Sequence, residues 1–266
     1  MTMSASPAPT LLADRRAALP DVQATAPEHA IALAQVGVVG MRLPLALEHG
    51  PVVATLRLSV DLPATQRGAH MSRFRRAIDA IPAGLDAQGF ARALAAELLR
   101  RHSYASSAMV EVTTDAVLGD LVLPLTARVI AGERPGAVLV GGSSLSLQLQ
   151  GSTVCPCAYA MSGNRYAHVQ RAQLDLQIFD ARLSVAELHA ICSRAFSAPV
   201  AMVLDRPAEK ALVDRMFAHP RFVEDVAREA VNGLRSARAG EGARVVATAF
   251  ESIHPYDCFA TWEGSF

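Results

Sequence analysis

From residue 52 to residue 60 the chain alternates. Val52, Ala54, Leu56, Leu58 and Val60 share one parity, and Val53, Thr55, Arg57 and Ser59 share the other. A period of two predicts a β-strand with one buried face. The run before it, residues 31–47, ends near His49-Gly50-Pro51, a tripeptide suited to a turn, so the two runs are expected to pair as a hairpin. The period then lengthens. Phe74, Ile78 and Ile81 form a short helical stripe, Pro82-Ala83-Gly84 breaks it, and Asp86 is placed to cap a helix in which Phe90, Leu94 and Leu98 recur on one face. Extended character returns over residues 108–113 and 117–130.

The second half repeats this order. Glu133-Arg134-Pro135-Gly136 reads as a turn. Leu145, Leu147 and Leu149 alternate with Ser146, Gln148 and Gln150, and Leu174, Leu176 and Ile178 alternate with Gln173, Asp175 and Gln177. Ser184-Val185-Ala186-Glu187 is a capping box that opens a helix containing Leu188 and Ile191. Helical segments are predicted over 209–217 and 222–234, then strands over 243–252 and 258–262. Each half therefore reads strand, strand, helix, helix, strand, strand. Two such modules, 29–132 and 133–266, give an α+β fold with helices on one face of antiparallel sheets. Open sheet edges would remain for subunit association to cover. Residues 1–28, rich in Ala, Pro, Ser and Thr, are expected to form a mobile N-terminal arm.

Composition narrows the class. At 51% hydrophobic and 19% charged residues the chain can bury a substantial core, which excludes global disorder. A formal net charge of zero argues against general nucleic-acid binding but leaves room for a local anion pocket. No apolar run has the length of a membrane span, and the arm lacks the order of a secretory signal. A cytoplasmic protein with no membrane or nucleic-acid partner is expected. In a reducing compartment Cys155, Cys157, Cys192 and Cys258 are thiols or metal ligands rather than disulfides.

Cys155-Pro156-Cys157 closes a strand-like run. In extended chain, residues two apart point to the same side, so both thiols are expected to face one site. His168 begins the next strand-like segment, thirteen residues after Cys155, and a hairpin would return it beside the cysteines. Thiolate plus imidazole suits a borderline-soft divalent metal, and a position left open for water would make such a site catalytic. Two buried thiols beside an unrelated surface histidine is the plainer alternative, and a redox pair is a third. Glu209 follows Arg206-Pro207-Ala208 in the first turn of a helix, where a carboxylate also simply complements the dipole. Glu224 opens the next helix, either as another first-turn charge or as a two-acceptor anchor for paired donors. His254, in Glu251-Ser252-Ile253-His254-Pro255-Tyr256-Asp257, is a candidate for proton transfer, since free imidazole titrates near neutrality.

Together these segments resemble the GTP cyclohydrolase type IB family. The landmarks are Leu19-Pro20-Asp21-Val22-Gln23, Gln35-Val36-Gly37-Val38, Arg67-Gly68-Ala69-His70-Met71-Ser72-Arg73-Phe74, residues 152–157, Ala167-His168-Val169-Gln170-Arg171, residues 206–210, residues 220–225 and residues 251–255. The resemblance implies tandem tunnelling-fold modules and a homotetramer with sites at subunit interfaces. It also implies conversion of GTP and water into 7,8-dihydroneopterin triphosphate and formate, for folate and pterin synthesis. One divalent metal per site (zinc, manganese or iron) would be held by Cys155, His168 and Glu209. Cys157 would lie beside it in a catalytic or substrate role, Glu224 would anchor guanine, and His254 would assist proton transfer. Arg67, Arg73 and Arg171 are candidates for the triphosphate. The family reads His-Pro-His-Asp where this chain has His254-Pro255-Tyr256-Asp257, and the loop before His168 is one residue longer here. A related tunnelling-fold enzyme acting on another purine or pterin, or a non-enzymatic metal-binding scaffold, is the alternative.

Overall fold

The computed structural model describes residues 20–132 and 142–266. Residues 1–19 of the expected arm and the expected turn at Glu133-Arg134-Pro135-Gly136 lie outside them. The strands are β1 (Leu33–Leu47), β2 (Gly50–Leu62), β3 (Ser107–Leu118), β4 (Leu121–Gly132), β5 (Gly142–Val154), β6 (Val169–Phe179), β7 (Ala198–Pro199), β8 (Gly242–Phe250) and β9 (Cys258–Ser265). The helices are α1 (Met71–Asp79), α2 (Ala87–Arg101), α3 (Pro156–Met161), α4 (Val185–Cys192), α5 (Arg206–Ala218) and α6 (Val223–Ser236).

The alternation has the expected result. The first two strands pair as a hairpin from Leu47↔Gly50 outward. All pairings are antiparallel, in the order β1-β2-β3-β4-β5-β6-β8-β9, with β7 added beside β5. The two halves join where Leu125–Ile130 pair with Leu147–Gly142. One face of the sheet carries Leu56, Leu58, Val110, Val112, Leu147, Leu149, Leu174, Leu176 and Val245, all buried. It is covered by Phe74, Leu94 and Leu98 of α1 and α2 and by Leu188, Val226 and Leu234 of α4 and α6. Each such side chain contributes about 1.5–3 kcal/mol by leaving water. The opposite face is polar: Asp175 accepts from Gln148 Nε2 at 2.8 Å and from Gln173 Nε2 at 2.9 Å.

The helix starts follow their predicted caps. Asp86 Oδ1 accepts from Gly89 N at 2.6 Å, and Ser184 and Glu187 form the full capping box. Two expectations are corrected. The extended run expected from Val117 starts later, because Gly119, at φ 60°, makes a tight turn and leaves Val117 on β3. The second half also departs from the six-element order. It inserts α3 between β5 and β6, and places three further helices and β7 before β8. Residues at the end of the expected arm are tied to the body: Gln23 Nε2 donates to Ala69 O at 3.1 Å, and Asp21 pairs with His70 at 3.0 Å. Among the described residues no helix is long and apolar enough to cross a membrane.

Candidate active site

One end of the sheet gathers the chemistry. Strand β5 stops at Val154 because Pro156 follows, and proline is well suited to the first turn of a helix. Cys155 becomes the N-cap of α3, its Sγ accepting from Ala158 N at 3.5 Å. This overturns the extended reading of Cys155-Pro156-Cys157. Cys157 lies inside the helix and is exposed, while Cys155 is half-buried. A turn with Gly163 at φ 68° and Asn164 at φ 61°, braced by Ser162 Oγ accepting from Arg165 N and Tyr166 N at 3.0 Å, reverses the chain. It returns His168 to the cysteine: Cys155 N donates to His168 O at 3.3 Å.

Three other segments reach this end. Arg221 N donates to Val154 O at 3.0 Å, which sets the start of α6, and therefore Glu224, beside Cys155. Asp225 caps that helix by accepting from Phe222 N at 3.1 Å; Glu224, among the described residues, has no hydrogen bond or ion pair. Cys258, paired with Ala249, faces this carboxylate. Burial first, and then the Glu251, Glu224 and Asp257 charges, hold its thiol above the usual range. The loop between β8 and β9 brings Ser252 Oγ to 3.5 Å from His168 Nδ1. In the same loop the rings of His254 and Tyr256 stack with centroids 5.1 Å apart and planes 4° from parallel, both exposed. Arg171, on β6, lies over the Phe250 ring at 5.8 Å.

Other expected members lie elsewhere. Glu209 stands exposed in the first turn of α5, a helix with no buried residue. That helix meets α3 through the Phe217 and Tyr159 rings, 5.6 Å apart. Phe217 is eight residues from Glu209, ~12 Å along a helix that rises ~1.5 Å per residue. Arg67 and Arg73 belong to the opposite end of the sheet, where Arg73 donates to Arg101 O at 2.9 Å and stacks over Tyr104. The thirteen residues of β5 separate the two ends, roughly 40 Å at ~3.3 Å per residue. Only Arg171 of the three arginines lies beside Cys155 in one chain.

The donors brought together, a thiol and an imidazole on adjoining chain, suit a borderline-soft divalent cation. Among the described residues no group of three His, Cys, Asp or Glu side chains forms a metal cluster. Sequence reasoning gave no site role to Gln170 or Ser252, and named Cys258 only as a thiol or metal ligand. Gln170 had a signal, since in a strand it shares a face with His168, two residues away.

The thiols differ sharply. Cys192 is fully buried and desolvation pushes it up to about 12, whereas Cys157 is exposed. Alkylation of the native protein followed by mass spectrometry is expected to label Cys157 readily and Cys192 only after unfolding. Early labelling of Cys192 would contradict this packing.

Comparison with known proteins identifies the family and the fold. The family described as "Type I GTP cyclohydrolase folE2" matches residues 19–260. GTP cyclohydrolase FolE2 1 of Dechloromonas aromatica is 32% identical over 263 residues, covering 92% of this chain and 96% of the relative. GTP cyclohydrolase MptA of Aeropyrum pernix is 33% identical, covering 90% and 94%. Among solved structures, uricase from Arthrobacter globiformis superposes with a TM-score of 0.51 at 9% identity, covering 86% of this chain and 93% of that one. Urate oxidase from Bacillus subtilis 168 does so with a TM-score of 0.51 at 8% identity, covering 87% and 98%. At such identities the likeness concerns the fold alone, the tunnelling fold of α+β class. With the family matched over residues 19–260 and relatives of 32–33% identity covering nine-tenths of the chain, the protein belongs to the type I GTP cyclohydrolase FolE2 family.

Proposed function

We propose that this chain is a GTP cyclohydrolase I, converting GTP and water into 7,8-dihydroneopterin triphosphate and formate. The observation that carries the reading is the meeting of Cys155, His168, Glu224 and the His254 loop at one sheet end in a chain of this family. Two hydrolytic steps each add a water, first opening the ring at C8 and then releasing formate. Closure of the rearranged ribose onto the freed amine returns one water, so a single water is consumed overall.

Family membership implies a metal-dependent reaction. Cys155 and His168 would hold one zinc, manganese or iron ion, and Glu209, which stands apart on α5 in the single chain, would complete the ligand set only if that helix moved toward them. Bound there, the ion would supply Lewis acidity and lower the pKa of water. The unpaired carboxylate of Glu224 offers two acceptors to the ring N–H and exocyclic amine of guanine. Cys157, one helical position beyond Pro156, borders the substrate. His254 moves protons at the purine and the ribose. Arg171 serves the triphosphate from within the chain. Arg67 and Arg73 would serve a site only in another copy, as a homotetramer with sites between subunits requires. Exposed Met161 (82%), Phe259 (72%) and Ile253 (61%) on the site segments support a covering partner.

Protein loaded separately with manganese, zinc and ferrous iron is expected to release formate and an oxidisable, fluorescent pterin in equal amounts from GTP. His254→Ala should slow this by about 10²–10⁴-fold, the usual contribution of a positioned proton-transfer group. Metal binding without either product would favour an enzyme for another purine or pterin, a reading that Tyr256, stacked on His254 in place of an imidazole, keeps specific.

A further inference from the structure

His168 lies in a defined hydrogen-bond setting. Its Nδ1 is 3.2 Å from Gln170 Oε1 and 3.5 Å from Ser252 Oγ. An amide oxygen can only accept, so this contact is a hydrogen bond in the tautomer that carries its proton on Nδ1. The Ser252 hydroxyl can accept from the same N–H. A neutral imidazole protonated on Nδ1 keeps its lone pair on Nε2. Gln170 is itself buried, 9% exposed, and β6 fixes it two residues along from His168, which immediately precedes that strand. A buried side-chain amide has few rotamers open to it, so the acceptor stays in place before any ligand arrives.

We infer that Gln170 is the positioning residue of His168: it fixes the ring and its tautomer so that Nε2 is the nitrogen presented to a divalent cation. Ser252 adds a second contact from the β8–β9 loop, so the loop bearing His254 is registered against the same ring. This inference rests on the reading of His168 as a metal ligand. A residue behind a ligand typically tunes metal affinity by about 10–100-fold, because without it the ring must be oriented at the moment of binding.

The test compares zinc affinity, by competition with a chromophoric chelator, for wild type, Gln170→Leu, Gln170→Glu and His168→Ala. Gln170→Leu fills a similar volume but accepts nothing, and is expected to weaken zinc binding by about 10–100-fold. Gln170→Glu keeps both the shape and an acceptor and should bind within about threefold of wild type or more tightly, and the proton position on His168 separates the acceptor role from packing. Long-range proton–nitrogen NMR on the metal-free protein should place the proton of His168 on Nδ1 in wild type and show mixed tautomers in Gln170→Leu. Circular dichroism and melting identify any variant that fails to fold, and the NMR signature of the wild type then still decides. If His168→Ala loses zinc while Gln170→Leu binds as wild type, the inference is overturned and the ligand reading stands. If His168→Ala also binds as wild type, the ligand reading itself is wrong and the inference falls with it. A wild-type His168 protonated on Nε2 overturns the inference directly.

Discussion

Cys155→Ser is expected to abolish GTP turnover in a protein that stays folded. Two roles coincide at this position, and the serine variant separates them. As N-cap of α3, Cys155 contributes a weak sulfur acceptor to Ala158 N at 3.5 Å. Serine is a better cap, and caps are worth about 0.5–2 kcal/mol, so the helix should hold or tighten. As a proposed ligand, Cys155 contributes a soft donor that serine does not replace at neutral pH. Loss of that donor should exceed the ~10–100-fold effect of residues behind a ligand, reaching at least roughly 10³-fold in turnover. Formate release, metal content and circular dichroism measured together decide it. Turnover within tenfold of wild type, with the metal retained, would remove Cys155 from the metal site. Cys155→Ala, which loses both the cap and the donor, should be as inactive and slightly less stable.

Gly151→Leu is expected to destabilise the protein strongly. Gly151 sits on β5, four residues before Cys155, and the ring of Phe196 lies directly on it. A Cβ at this position would come within 2.1 Å of Phe196 Cγ and 2.4 Å of Cδ2. Phe196 is 1% exposed and cannot swing to solvent. Its neighbour is pinned as well, since Ser197 N donates to Ser152 O at 2.9 Å and Val154 N donates to Ser197 Oγ at 3.2 Å. Overpacking of this kind costs about 1–3 kcal/mol for small insertions, and a leucine here should cost at least about 3. At about 2–4 °C per kcal/mol for a chain of this size, the melting temperature should fall by roughly 6–12 °C. Phe196→Ala alone should cost about 3–5 kcal/mol through the cavity it leaves. In the double variant the new side chain enters that cavity, so the combined loss should be smaller than the sum. Strict additivity would mean that the ring and the glycine do not share the same space.

The fold was legible wherever local chemistry and burial agree. Alternation over β2, β5 and β6 worked because one face of each strand is buried and the other is polar. Asp86 and Ser184 worked because caps are local contacts. Cys155-Pro156-Cys157 misled because proline ends a strand and opens a helix with equal ease, and the choice between them is made by the backbone of β5 and β6. Cys155 with His168 was legible because a short hairpin-like return must bring them together. Glu209 was not, since nothing local says how far α5 stands from the rest. The arginines were not either: a shared motif says what a residue is, and only strand direction says at which end of a sheet it lies. Gln170 was within reach of period-two reasoning, whereas Ser252 needed the path of the β8–β9 loop.

The seam between β4 and β5 has a consequence for how the molecule can be divided. Its ladder runs from Leu125↔Leu147 to Ile130↔Gly142 and is continuous with the strands on either side, so backbone hydrogen bonds join the halves independently of the peptide linkage between residues 132 and 142. Each half, on the other hand, would present an unpaired strand edge if it stood alone. Two separately expressed fragments, ending at 132 and beginning at 142, would thus have complementary edges and a shared apolar layer to reunite them. The protein is suited to being split into a reporter pair whose reassembly is read out by pterin fluorescence.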